Sequence, residues 1–138
     1  MAKRTVFVDT GAWFALSDRS DQHHSEAVAV YPELLRRYCL LTTNLVIAET
    51  YILIRRSMGH APAVLFLESI AASPRITKLY SDSICENAAE DILRKYQDQD
   101  FSYTDAVSFA VMKIYKITTA FSFDQHFAAT DFIMLPQN

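Results

Sequence analysis

The chain has 138 residues, 51% of them hydrophobic, which is enough apolar material for one globular domain and too much for a disordered segment. Two glycines and four prolines leave little room for linkers, and no run of about 18 apolar residues is present to cross a membrane. A net charge of −3 argues against a partner held by a broad basic surface.

Residues 4–8 read as a short buried strand ending at Asp9, since the apolar run Val6-Phe7-Val8 stops there. The Lys3-Arg4 start is therefore followed by too little apolar sequence for a signal peptide. Helical turns through Trp13 to Leu16 lead to a polar break over Ser17–Gln22. A helix from Ser25 to Tyr38 then carries Ala27, Val28, Tyr31, Leu34 and Leu35 at helical spacing. His23-His24 precedes it, and the pair reads as exposed histidines. Leu40-Leu41 is a second strand. Thr43 or Asn44 caps a helix running to Ser57, Gly59 breaks it, and Ala61–Ala72 forms the next. Arg75–Leu79 is a third strand, and Ser81 or Asp82 opens a helix with Ile84, Ala88, Ala89, Ile92 and Tyr96 on one face. A further helix begins near Ser102, Ile117–Phe121 is a strand, and Phe132-Ile133-Met134 is the last. Strands that alternate with helices and lack a two-residue rhythm indicate a parallel sheet covered on both faces, an α/β fold. Cys39 and Cys85 have neither metal-ligand nor redox spacing and suit a reducing cytoplasm as two small buried hydrophobes.

Four acids stand in apolar sequence far apart: Asp9, Glu49, Asp105 and Asp124. Burying an ionised carboxylate costs several kcal/mol unless a cation or strong donors compensate it, so the set points to a shared positive ligand, with a divalent metal as the natural candidate. In a parallel α/β sheet, ligands bind beyond the carboxyl ends of the strands, and this places Asp9 and Asp124 on one rim. Each acid also has a structural explanation. Asp9 and Asp124 can cap short turns, Glu49 can pair with Arg55, Arg56 or another base, and Asp105 can complete a capping box with Ser102. The combination outweighs the separate explanations. Setting those four charges aside moves the balance of the remainder from −3 to +1, so a phosphodiester substrate is not excluded. Asp100, in the polar connector Asp98-Gln99-Asp100, is a weaker fifth candidate. Gly-rich phosphate loops, nucleophile elbows and zinc spacings are absent.

The segments VFVDT, TTNLVIAET, DQDFSYTDAVSFAVM and AFSFDQHF, in that order and at those separations, resemble the PIN-domain ribonucleases, in particular the VapC-type toxins of bacterial toxin-antitoxin pairs. The resemblance spans residues 5–127 and implies a three-layer α/β/α PIN-like domain over residues 1–138, with a mainly parallel sheet of four to five strands. It places Asp9, Glu49, Asp105 and Asp124 where the family's metal-binding acids are expected, with Thr10, Asn44 and Ser122 as neighbouring polar groups that orient them. Ser122 stands where the family often has Thr, and Asp100 has counterparts in similar sequences.

The implied activity is a cytoplasmic endoribonuclease dependent on Mg²⁺ or Mn²⁺. In it Asp9, Asp105 and Asp124 hold the principal ion, Glu49 positions water or a second ion, and Arg55 and Arg56 contact RNA phosphates. The resemblance also implies a homodimer silenced by a cognate antitoxin. Apolar residues on the helices near 25–38 and 44–72, among them Tyr51, Leu53, Leu65 and Phe66, are available to core and interface alike. Two rivals share the scaffold. A phospho-accepting receiver domain would want paired acids after the first strand and a late Lys, and a non-catalytic binding module would not need four intact acids.

Overall fold

The computed structural model describes residues 4–137. In chain order the elements are β1 (Arg4–Val8), α1 (Thr10–Ser17), α2 (His24–Arg37), β2 (Tyr38–Thr43), α3 (Asn44–Met58), α4 (His60–Ala72), β3 (Ile76–Leu79), α5 (Ser83–Lys95), α6 (Tyr103–Ile114), β4 (Thr119–Phe121), α7 (His126–Ala129) and β5 (Ile133–Leu135). The five strands form one sheet in the order β3-β2-β1-β4-β5, every neighbouring pair parallel. Helices cover it as a three-layer α/β/α fold. Helix α1 packs against α2 and α3, α3 against α4, and α5 against α6.

Local chemistry explains the boundaries. Val6, Phe7 and Val8 of β1 are all fully buried, as a central parallel strand flanked by helices on both faces requires. Thr43 rather than Asn44 caps α3, its hydroxyl accepting the N–H of Val46 at 3.2 Å, and the helix ends at Gly59, whose φ of 104° a side chain would disfavour. Asp82 rather than Ser81 caps α5 by accepting the N–H of Cys85. Strand β2 is longer than its two central leucines suggest, because it is laddered on both sides: Arg4 of β1 faces Tyr38, and Ile76 of β3 faces Leu40. Strand β4 begins later than Ile117, after the positive-φ turn at Lys116.

The core runs through Phe7, Phe109, Phe121 and Phe127, all fully buried, with the Phe109 and Phe127 rings edge to face at 4.9 Å. The strand order sets the location of a site. The chain proceeds outward from β1 through β2 to β3, then returns to the other side of β1 for β4 and β5. The reversal lies between β1 and β4, whose last paired residues are Val8 and Phe121. A crevice is expected beyond the carboxyl ends of these two strands.

Candidate active site

Asp9 and Asp124 flank that crevice. The N–H of Asp9 donates to the carbonyl of Phe121 at 3.1 Å, continuing the β1–β4 ladder by one residue and fixing where the Asp9 side chain starts. That side chain does not cap α1. Its Oδ2 accepts the Ser122 hydroxyl at 3.2 Å, and the same hydroxyl oxygen accepts the N–H of Asp124 at 3.0 Å. One buried serine thus ties two acids from opposite ends of the sequence together.

Asp9 is only 4% exposed. Burial, reinforced by the charges of Asp105 and Asp124, pushes its pKa up to about 7, although the Thr10 backbone and the Ser122 hydroxyl act the other way. Asp105 is raised as well, first by burial and then by the charges of Asp124 and Glu49, against hydrogen bonds from Ser102. The charges of Asp105 and Asp124 thus reach Asp9 and those of Asp124 and Glu49 reach Asp105, with no Lys or Arg paired with any of the four among the described residues.

The capping explanation for Asp105 and its membership of the cluster hold together. Ser102 Oγ accepts the N–H of Asp105 at 3.0 Å, and Asp105 Oδ2 accepts the N–H of Ser102 at 3.0 Å, a reciprocal capping box. The box sets the first turn of α6 and leaves the carboxyl group facing the crevice, with Oδ2 3.8 Å from Nδ1 of His126. Asp124 Oδ1 accepts the backbone N–H of His126 at 2.9 Å and lies 3.3 Å from the same ring nitrogen. His126 was not legible from sequence as a site residue. The available signal was Asp-x-His at a turn, where an Asp side chain bonding two residues on folds the His back toward it.

The other candidates divide. Glu49 is half-buried in α3, forms no ion pair with Arg55 or Arg56, and its charge reaches Asp105. Thr10 is buried as the first residue of α1, and its hydroxyl has no hydrogen-bond partner. Asn44 makes its hydrogen bond elsewhere: its amide oxygen accepts the N–H of Ser81 at 2.8 Å, in the turn between β3 and α5. Asp100 is exposed in the connector before α6. Arg55 and Arg56 are exposed in the last turn of α3. The two N-terminal histidines are half-buried rather than exposed: His24 Nδ1 lies 2.7 Å from the carbonyl oxygen of Ala15, and His23 stacks on Phe123 at 4.2 Å, because the break after α1 folds back onto the body.

The donor chemistry fits a hard divalent cation. The charges of Asp105 and Asp124 reach the buried Asp9 carboxyl, and one donor atom from each of Asp105, Asp124 and His126 lies within 4.8 Å of the others, while two buried polar atoms, Thr10 Oγ1 and His126 Nδ1, lack hydrogen-bond partners.

Comparison with known proteins identifies the family and the fold. The family described as PIN domain matches residues 6–133. The 23S rRNA-specific endonuclease VapC20 of Mycobacterium tuberculosis H37Rv is 32% identical over 128 residues, covering 93% of this chain and 95% of that protein. A VapC ribonuclease of Archaeoglobus fulgidus is 30% identical over 126 residues, covering 89% of this chain and 79% of that one. The crystal structure of M. tuberculosis VapC20, described as a Sarcin-Ricin loop cleaving toxin, superposes with a TM-score of 0.86 at 32% identity, covering 93% and 96% of the two chains.

Proposed function

Since the chain belongs to the PIN-domain family, we propose that it is a divalent-metal-dependent endoribonuclease, the toxin of a toxin-antitoxin pair. The observation that carries the reading is the acidic group beyond the β1 and β4 strand ends, where Ser122 ties the buried Asp9 to Asp124 and donor atoms of Asp124 and Asp105 lie within 4.8 Å of each other.

Asp9, Asp105 and Asp124 would hold Mg²⁺ or Mn²⁺, directly or through water, and Glu49 would place the attacking water or a second ion. Such an ion lowers the pKa of water and neutralises charge building on the phosphoryl oxygens. The protein's own part is positional. Ser122 fixes the spacing of Asp9 and Asp124, and the Ser102 capping box fixes Asp105 on α6. The rings of Phe101 and Phe127, in the segments next to Ser102 and His126, both pack edge to face on Phe109. Arg55 and Arg56 supply exposed positive charge for RNA phosphates.

The VapC20 relative is named for 23S rRNA, so a structured ribosomal RNA loop is the first substrate to offer. No helix among the described residues is long and apolar enough to cross a membrane. Both cysteines are free thiols, which suits a reducing cytoplasm, the proposed place of action. Homodimerisation and a cognate antitoxin complete the proposal. Of the residues expected at an interface, Phe66 is buried in the core, while Leu53 and Leu65 are exposed. Leu65 and Met58 rim an apolar groove floored by Trp13, Phe66 and Ile70, available to a partner. The test is cleavage of mixed cellular RNA and of a ribosomal loop transcript, with Mg²⁺ and with EDTA. Discrete cuts that vanish in EDTA support the reading. Intact RNA under both conditions refutes it.

A further inference from the structure

We propose that His126 is itself a metal ligand, its Nδ1 joining Asp105 and Asp124, and that this nitrogen makes the site prefer Mn²⁺ to Mg²⁺. The inference rests on the metal-dependent reading above and specifies which ion that site takes.

The geometry behind it is local. Bonding of the His126 N–H to Asp124 Oδ1 turns the ring back over the carboxyl groups. One donor atom from each of Asp105, Asp124 and His126 lies within 4.8 Å of the others, a spacing that a single ion can bridge. The ring edge meets Phe101 at 5.0 Å and 79°, which fixes its orientation. Nδ1 is buried although the side chain is 31% exposed, so the other edge of the imidazole is the one that reaches water. The carboxylate oxygens of Asp124 and Asp105, at 3.3 and 3.8 Å, are within ion-pair distance, yet neither makes a hydrogen bond with it. A buried nitrogen in this state has given up its hydrogen bond to water without gaining one in the protein. A lone pair directed at a cation removes that deficit, with the ring proton then carried on Nε2 toward solvent.

The consequence for selectivity follows from ligand chemistry. Mg²⁺ favours an all-oxygen shell with several retained waters, whereas imidazole suits transition ions. The competing role for His126 is an imidazolium that neutralises Asp105 and Asp124 in place of metal. The two roles have opposite consequences, because removing a ligand weakens Mn²⁺ binding and removing a competing cation strengthens it.

The experiment titrates Mn²⁺ into the full-length chain, follows free Mn²⁺ by electron paramagnetic resonance, competes it with Mg²⁺, and records pulsed spectra of the bound ion for ¹⁴N coupling. Wild type is expected to show coupling from one directly bound imidazole. His126→Phe, which keeps the contact with Phe101, should lose that coupling and about tenfold or more in Mn²⁺ affinity, with Mg²⁺ affinity changed by less than about threefold. Bound Mn²⁺ without ¹⁴N coupling in wild type overturns the inference whether or not the variant folds. An unchanged Mn²⁺ to Mg²⁺ ratio, or tighter Mn²⁺ binding in the variant, overturns it too. Absence of any Mn²⁺ or Mg²⁺ binding to wild type would instead refute the metal-dependent reading on which it rests.

Discussion

Asp9→Asn should stabilise the metal-free protein, and the gain should grow with pH. In wild type the carboxyl has a folded pKa of about 7 against 3.8 in the unfolded chain. An acid whose folded pKa is raised imposes no cost below the unfolded value and a rising one as pH climbs from 3.8 toward 7. Above that the cost is constant. At about 1.36 kcal/mol per pK unit, the cost is about 0.6 kcal/mol at pH 4 and about 4 kcal/mol at pH 7.5. Asparagine removes this titration while exchanging the hydrogen bond with Ser122, a pH-independent offset of about 1 kcal/mol. The stability difference between variant and wild type should therefore widen by about 3.5 kcal/mol between pH 4 and 7.5, roughly 10 °C in melting temperature for a chain of this size. Urea unfolding and thermal melts in EDTA at several pH values measure it. Saturating Mg²⁺ or Mn²⁺ should reverse the order at neutral pH, since a ligand that binds only the folded state stabilises wild type by mass action. A stability difference that stays flat from pH 4 to 7.5 would mean that Asp9 is not the strained carboxylate described here.

Ser122→Ala should cost about 1–3 kcal/mol and slow cleavage by about tenfold or more, because it leaves the Asp124 N–H and the Asp9 carboxylate without their shared partner. Ser122→Thr, which keeps the hydroxyl, should restore both in denaturation and cleavage assays. Replacing Arg55 and Arg56 with Ala should weaken RNA binding and lower the slope of log affinity against log salt by about 0.7 for each phosphate no longer neutralised, with little change in melting temperature. Asp100→Asn, in the exposed connector, should change cleavage by less than about twofold under initial-rate conditions.

The sheet-edge rule needs only strand ends, and strand ends are marked in the sequence by where apolar runs stop. That is why Asp9 and Asp124 can be set on one rim from the sequence, and the strand order then puts both beside the β1–β4 switch point. Asp105 shows why single-residue arguments fall short. A capping box fully explains its sequence, yet the same carboxyl lies among the other acids, because a helix N-terminus and the crevice coincide there. Asn44 is the opposite case. Its neighbour Thr43 takes the cap, and its amide is needed by Ser81, 37 residues away, a demand that no local pattern reveals. His126 is hidden for the same reason. Its ring direction depends on an Asp124 side-chain bond and on the Phe101 edge contributed from the loop before α6, both of them tertiary facts. His23 and His24, at the start of α2, look solvated in the sequence because the groups that half-bury them, Phe123 and the carbonyl of Ala15, are brought to them only by the fold.

The most direct measurement is the initial rate of RNA cleavage by wild type and Asp105→Asn across a titration of Mg²⁺ or Mn²⁺ added to EDTA-treated protein. Asparagine can still accept the Ser102 N–H, so circular dichroism should show the fold retained while one anionic donor is removed from the site. The predicted result is cleavage by wild type that appears only as metal is restored, and a loss of about 100-fold or more in a folded Asp105→Asn. Metal-independent cleavage by wild type, or a folded variant that keeps most of the activity, would contradict the assignment of these acids to a metal-dependent ribonuclease centre.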